Sequence, residues 1–390
     1  MRTALIVGAG IGGLSAGIAL RKAGWDVRIF ERFPSARELG FGLGLAPNAM
    51  AALSELGIAD VVLARGFEPT RGEARRMDGT VLKRIEIPRG LLGGPLVVAL
   101  RPALHGALLD AVAPDTLVTG CEATGFTVNG TRVNLLLATG ASVDGDLLIG
   151  ADGVHSVIRR QLHSSEGPPR SSRIVSVRGV VDGAASSLGS RDAIYYLGPG
   201  VESAFIRASG TGIYWFVAVA EELLPERHTT AAHVLAQMAP QFDDTFRAIT
   251  SATSERRYDG VLVDRDPLPF WGTDMVTLVG DAAHPMLPQT GQGAAQAIVD
   301  AVTLGQMLAG NVDVPQTLRA FEAERRPKTA ALVRQGRRTA RFMRMRNPLA
   351  CAARELAFRM FPAKPLMKLY VRVNRRAGTD TSAPRSSGLQ

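Results

Sequence analysis

An α/β architecture is predicted: a parallel-sheet domain, interrupted by a mostly antiparallel sheet and followed by helices. Three observations predict it. A strand, a helix and a second strand follow one another at the start of the chain. Four runs of period two, separated by Gly-rich turns, fill residues 174–220. A buried strand, a Gly-rich loop and a helix then appear from residue 276, so the α/β part is discontinuous.

Residues 3–7 (TALIV) are apolar, partly β-branched and stop at Gly8, as a strand buried on both faces does. Leu14, Ala16, Gly17, Ile18 and Leu20 recur at helical spacing up to Lys22, and Gly24 ends the helix. Residues 27–31 form the second strand, which makes a βαβ unit and requires a parallel sheet. Helices are predicted over 48–56, ended by Gly57, and over 102–112, with Pro102 in the first turn. Residues 131–137 and 142–149 read as strands between Gly and Asn turns. The four period-two runs are 174–181, 193–197, 203–208 and 213–220, with turns at 198–200 (GPG) and 210–212 (GTG). Residues 276–279 return to a buried strand, and a helix is expected over 294–308. The last eighty or so residues read as helices broken at Pro348, Pro362 and Pro365.

A chain of 390 residues corresponds to two or three domains at roughly 150 residues each. With 46% hydrophobic and 21% charged residues the composition is that of a globular protein, not a disordered or fibrous one. Only Gly stands out, at 42 residues, which implies many tight turns. Two cysteines, Cys121 and Cys351, make neither a disulfide framework nor a metal cluster, and a reducing, cytoplasmic location is expected. The six histidines lack metal-site spacing, so no metal is expected. The N-terminal run reads as a strand and not as a signal peptide, and no apolar run is long enough to span a bilayer.

The net charge of +9 is local in origin. Residues 325–376 hold 16 Lys/Arg and one acid, Glu355, while the remainder holds 29 basic and 35 acidic residues. This segment is expected to be a solvated helical face on an acidic body, with weak contact to an anionic membrane surface as the functional alternative. Aromatic residues are sparse there and no nucleic-acid motif accompanies them, so nucleic acid is set aside.

Gly8-Ala9-Gly10-Ile11-Gly12-Gly13 fits G-x-G-x-x-G in the context that gives the pattern meaning, after a strand and at a helix start. Such a loop turns tightly, lets backbone approach a pyrophosphate and presents helix N–H groups to it. Glu31 closes the second strand, where an acid accepts from adenosine ribose hydroxyls and repels a 2′-phosphate. The ligand is therefore an unphosphorylated dinucleotide, FAD or NAD.

Three further segments separate these two. They are residues 146–159 (DLLIGADGVHSVIR), residues 279–294 (VGDAAHPMLPQTGQGA), and Arg101 with Leu104 and Leu108 on one helical face. With the first motif they resemble, in order and separation, the single-component FAD-dependent aromatic hydroxylases, the class that includes p-hydroxybenzoate and salicylate hydroxylases. Lesser matches are Gly42, Pro47-Asn48-Ala49, Arg265-Asp266-Pro267-Leu268-Pro269 and Glu324-Arg325-Arg326-Pro327.

The resemblance implies a Rossmann-type FAD-binding domain of residues 1–70, 98–172 and 262–345. A substrate domain of 71–97 and 173–261 is inserted in it, basic helices follow over 346–377, and 378–390 is a disordered tail. It assigns FAD to Gly8, Gly10, Gly12, Gly13, Glu31, Arg32, Gly42, Arg101, Asp152, Gly280, Asp281, Pro288, Gly291, Gln292, Gly293 and Ala294. Asp281 would accept from ribityl hydroxyls, Pro288 would lie at the reacting edge of the flavin, and the helix opening at Gly291–Ala294 would stabilise charge on the reduced ring. Asp152 would contact FAD and NAD(P)H, with an N-cap role as the structural alternative. His155 and His284 are expected to be structural hydrogen-bonders. Ala295 and Val299, where many relatives carry Asn and Glu, are expected to have small effects on cofactor contacts.

The implied reaction uses NADH or NADPH and O2 to hydroxylate an aromatic or polyketide-like small molecule through a flavin C4a-hydroperoxide. Tyr214, Phe216 and Ala218 alternate onto one face, chosen for the pocket, where Tyr214 would orient or deprotonate a phenol. Ser203, Phe205 and Arg207 share one face of the neighbouring strand. An isoprenoid epoxidase, a non-catalytic flavin-binding protein and an NAD-dependent dehydrogenase are the alternatives. Halogenation is disfavoured because Trp25, Trp215 and Trp271 stand apart. The oligomeric state is left open.

Overall fold

The computed structural model describes residues 1–36, 40–88, 91–224 and 230–362. A five-stranded, all-parallel sheet sits at its centre. The strand order across it is Val276–Leu278, Leu147–Gly150, Thr3–Val7, Asp26–Phe30 and Leu117–Val118. Leu5, Ile6, Leu148 and Ile149 are fully buried, as strands covered on both faces must be. Burying each such side chain contributes about 1.5–3 kcal/mol.

Two helices lie side by side on this sheet, Ile11–Lys22 and Gly293–Met307. A Cβ on Gly12 would touch Ala297, and one on Gly305 would press on Ala19. These pairings fix the helices as parallel, with both N-termini at the same end. The small residues allow a close approach that Leu or Val would block.

The second sheet has seven strands, in the order Glu255–Asp264, Arg170–Val181, Ile213–Ala220, Val201–Arg207, Ala193–Gly198, Arg71–Arg76 and Val81–Glu86. The run from 193 to 220 is an antiparallel meander. The strand Arg170–Val181 does not continue that meander but pairs with Ile213–Ala220, and Ala193–Gly198 pairs in parallel with Arg71–Arg76. One face of this sheet packs on the helices Ala231–Met238 and Asp244–Ala252 through Trp215, Phe205, Val217, Phe242 and Phe246. The other face turns to the parallel-sheet part of the molecule. A two-stranded ribbon, Gly42–Leu45 with Val97–Leu100, stands between the two sheets.

Residues 142–149, expected as one strand, are two. Ser142–Gly145 pairs antiparallel with Arg132–Leu137, and Leu147–Gly150 joins the central sheet. Asp146 is the hinge: its carboxylate accepts from the Thr3 N–H at 2.7 Å and from Arg132 at 2.9 Å, so it ties the two sheets where the chain changes layer.

Val314–Met343 is a single helix of 30 residues that carries Pro327 inside it. Asp313 caps its start by accepting from the Gln316 N–H. Pro348–Met360 follows, capped by Asn347, whose side chain accepts from Leu349 and Ala350. The remaining basic residues of 346–377, from 363 onward, and the tail 378–390 lie outside the described residues. Among the described residues no helix is long and apolar enough to cross a membrane, and no group of His, Cys, Asp and Glu is placed to hold a metal ion.

Candidate active site

All five central strands run the same way, so their carboxyl ends share one edge of the sheet. Four predicted segments lie along that edge. The Gly8–Gly13 loop follows Thr3–Val7, Glu31 and Arg32 follow Asp26–Phe30, Asp152 follows Leu147–Gly150, and Gly280–Asp281 follows Val276–Leu278. The crevice outside the carboxyl ends of strands is where open α/β sheets bind ligands.

The loop is closed on one side and open on the other. Gly8 has φ +101°, and its carbonyl packs directly on Gly13. Gly10, by contrast, faces open space. No side chain caps the helix Ile11–Lys22 or the helix Gly293–Met307. Two sets of unpaired N–H groups and two positive dipole ends are thus aimed at one crevice. Glu31 accepts from the Ala9 N–H at 2.9 Å and from the Phe33 N–H at 3.0 Å, which places its carboxylate against the loop. Arg32 is exposed beside it, over the Phe33 ring.

Asp152 accepts from the Val157 N–H through Oδ2 at 2.7 Å, and its Oδ1 is buried without a protein partner. Burial pushes its pKa up, against opposing hydrogen bonds from Ser156 and Val157. The side-chain cap of Val157–Leu162 is Ser156, not Asp152. His155 is exposed.

The ribbon and the helix Arg101–Ala111 bring Gly42 and Arg101 to the same crevice. The Arg101 N–H donates to the Phe41 carbonyl at 2.7 Å, and His105 bonds the Ala9 carbonyl at 2.7 Å, which fixes this helix to the glycine loop. Gly42 lies against the Tyr214 ring.

The loop 285–293 closes the site from the other side. Pro288 is exposed, Gly291 takes φ +63°, and Gly293 sits 3.9 Å, measured from its would-be Cβ, from the Asp281 carboxylate. A chain of buried polar groups holds this loop. Asp300 bonds His284 at 2.6 Å and Arg325 at 2.8 Å. Arg325 donates to Gln296 at 2.5 Å, and Gln292 accepts from both Gln296 and Asn48 at 3.0 Å. Gln292 Nε2 and Asn48 Oδ1 end the chain without a protein partner. Arg159, 1% exposed, joins the two acidic motifs: it donates to the carbonyls of Ala282 and Ala283 and pairs with Glu166. The sequence reading had His284 as a structural hydrogen-bonder and missed the rest. The spacing of Gln292, Gln296 and Asp300, four residues apart along an apolar stretch that opens the helix, was the available signal.

Tyr214, Phe216 and Ala218 face this site. Tyr214 packs with Val98 and Phe41, and Ala218 with Leu287. Burial pushes the Tyr214 phenol up, so a phenolate there is disfavoured and orientation of a substrate suits it better than deprotonation. Ser203 and Phe205 point the other way, Phe205 into the core with Trp215.

A dinucleotide in extended form fits this arrangement. Uncapped helix ends could serve its phosphates and carboxylates at two strand ends its two sugar chains, and open glycine backbone and unpartnered buried polar atoms line the crevice between. The fold and the crevice define a dinucleotide-binding flavoprotein. Over residues 1–336 the chain matches the family described as FAD binding domain, and it belongs to that family.

Its relatives are oxidoreductases. It is 34% identical over 367 residues to the aurachin C monooxygenase/isomerase of Stigmatella aurantiaca, covering 92% of this chain and 94% of the relative. It is 33% identical over 341 residues to 3-hydroxybenzoate 6-hydroxylase 1 of Aquipseudomonas alcaligenes, covering 84% and 85%. The Klebsiella pneumoniae HpxO structure with FAD and uric acid superposes with TM-score 0.88 at 25% identity, covering 96% of this chain and 97% of that one. The chain is an FAD-dependent monooxygenase of the aromatic hydroxylase class.

Proposed function

We propose that the protein uses NADH or NADPH and O2 to place one oxygen atom on an aromatic or polyketide-like small molecule. The observation that carries this reading is the alignment of the glycine loop, Glu31, Asp152 and Asp281 along one sheet edge, under two uncapped helix N-termini. When bound, FAD supplies the redox chemistry that activates O2.

The protein's own part is to bind, orient and exclude water. Gly8, Gly10, Gly12, Gly13 and the first helix hold the pyrophosphate, and Glu31 with Arg32 holds the adenosine end. Asp281, Arg101, Asp152 and Gly42 hold the chain toward the flavin. Gly280, Gly291, Gln292, Gly293 and Ala294 would hold the flavin end through helix N–H groups, and Pro288 would bound the reacting side. Tyr214 orients the substrate on the sheet face opposite. Residues 1–70, 98–172 and 262–345 form the FAD-binding domain, and 71–97 with 173–261 the substrate domain.

Purified protein tests this directly. It is expected to be yellow and to consume NAD(P)H with O2 uptake that rises on adding phenols, N-heteroaromatics or polyketides, with products heavier by one oxygen atom. A yellow protein that consumes no NAD(P)H with any of these compounds would count for a non-catalytic flavoprotein.

The basic C-terminal region favours a second property, weak contact with an anionic membrane surface. On the helix Pro348–Met360, Leu349, Leu356 and Met360 fall on one side and are 82%, 56% and 71% exposed, with Arg346 and Arg359 also exposed nearby. Flotation with phosphatidylglycerol vesicles is expected to carry the protein, and phosphatidylcholine vesicles are not. Leu356→Asp with Met360→Asp should abolish the difference.

A further inference from the structure

We propose that Glu202, held between Tyr195 and Gln289, sets the specificity of the substrate site for neutral aromatic rings that present an N–H or O–H donor, against aromatic carboxylates. This rests on the monooxygenase reading and narrows its substrate class.

The placement comes from strand register. Tyr195 lies opposite Ala204, Glu202 opposite Ala218, Ala204 opposite Phe216 and Ile206 opposite Tyr214, so these side chains share one face. That face meets the loop carrying Pro288: Ala218 packs on Leu287, and Gln289 reaches across to Glu202.

Glu202 is only 6% exposed on this face, among Ala204, Phe216 and Ala218. Its Oε2 accepts from the Tyr195 hydroxyl at 2.5 Å, and its Oε1 accepts from Gln289 Nε2 at 2.8 Å. Gln289 therefore spends its amide N–H on Glu202. Its carbonyl oxygen is buried and has no hydrogen-bond partner, one residue after the exposed Pro288. A buried acceptor of this kind is satisfied by a ligand donor and penalised by a ligand acceptor.

Among the described residues, the nearby cations are already engaged. Arg178 pairs with Asp259 at 2.7 Å, and Arg354 gives its guanidinium to the carbonyls of Met343 and Gly198 at 2.9 and 3.0 Å. Arg101 stands at the ribbon end of the site, where it is assigned to the cofactor. A carboxylate set on this face would lose its water, gain no free cation among the described residues and meet two acceptors. A ring N–H or a phenol O–H would instead complete the hydrogen bonding of Gln289.

Titration of the FAD-loaded protein with 4-hydroxyquinoline and with 3-hydroxybenzoate tests the proposal, read by the perturbation of the flavin spectrum and by calorimetry. The heteroaromatic should bind at least about tenfold more tightly. Glu202→Gln keeps an acceptor oxygen for Gln289, turns the other position into a donor that the Tyr195 hydroxyl can accept, and removes the negative charge, so it should narrow that ratio at least about threefold, chiefly by tightening the carboxylate. Gln289→Leu should weaken 4-hydroxyquinoline without improving 3-hydroxybenzoate. The proposal is overturned if the carboxylate binds as tightly as the heteroaromatic, if neither probe binds, or if Glu202→Gln retains FAD and leaves the ratio unchanged. Wild-type protein that takes up no FAD would instead sink the monooxygenase reading beneath it.

Discussion

Gly13→Ala should emerge from expression without FAD and with a lowered melting temperature, whereas Gly10→Ala should keep its stability and lose cofactor affinity alone. The contrast comes from what each new methyl group would meet. At Gly13 a Cβ is driven into the carbonyl oxygen of Gly8, with the Ala151 Cβ at 3.4 Å behind it. The obstacle is backbone, and Gly8 is itself pinned: its N–H donates to the Phe30 carbonyl at 2.8 Å, and its φ of +101° suits only glycine well. Relief requires the helix Ile11–Lys22 to lift off the central strand, which costs about 1–3 kcal/mol or more. At Gly10 the Cβ meets nothing within 4 Å, so the apoprotein should fold as before. The methyl group then occupies the open side of the loop, where the pyrophosphate is proposed to rest. An affinity loss of about tenfold or greater is expected, equivalent to about 1.4 kcal/mol. Thermal melts of the two apoproteins and FAD titrations followed by flavin fluorescence separate the cases. Unaltered FAD affinity in Gly10→Ala would mean that the loop does not hold the phosphates.

The loop and its strand were readable because their signals are local. Five apolar residues, a glycine run and an acid at the end of the next strand all fall within thirty-one positions. The antiparallel sheet was readable for the same reason, since Ile213–Ala220 is a short run of aromatic, β-branched and alanine residues and its neighbours end in glycine turns. Its strand order was not. The parallel pairing of Ala193–Gly198 with Arg71–Arg76 joins segments more than a hundred residues apart, and nothing in either segment announces the other. Residues 142–149 were read as one strand although Gly145 and Asp146 interrupt the apolar pattern, because the decisive contact, Asp146 on the Thr3 N–H, is long-range. Pro327 was not read as a break, and the helix does continue through it, with Arg325 and Thr329 on either side buried against the body. The polar groups that hold the site were the least legible. Arg159, Asp300 and Arg325 are charged, and charge predicts exposure until the partners that bury it are known.

Arg325→Met should be among the most damaging single substitutions in the chain outside the glycine loop. Asp300 and Arg325 are both fully buried, and their ion pair at 2.8 Å stands beside the His284 contact at 2.6 Å. Methionine fills much of the space but leaves the Asp300 carboxylate with only His284 and the Gly280 N–H. Removing one partner of a buried pair costs about 3–5 kcal/mol, chiefly because the remaining charge is stranded. Acid should shrink that cost. In the native protein burial raises the Asp300 pKa, but His284 and Arg325 outweigh it and hold the carboxyl below its ordinary value. A depressed folded-state pKa contributes stability above the unfolded value, near 3.9 for aspartate, and that contribution is lost as pH falls through the folded value. Without Arg325 burial gains ground, the carboxyl titrates higher than in the parent protein, and protonation relieves the variant first. The stability gap between the two proteins, measured by urea denaturation, should therefore be largest near neutrality and narrow toward pH 4. Asp300→Asn combined with Arg325→Met should recover part of the loss, because no charge is then left buried. The FAD site should feel the single variant as well, since Arg325 also positions Gln296 and, through it, Gln292 at the start of the helix. A gap below about 1 kcal/mol at neutral pH, or one that does not change with pH, would show that the pair is not what holds the loop.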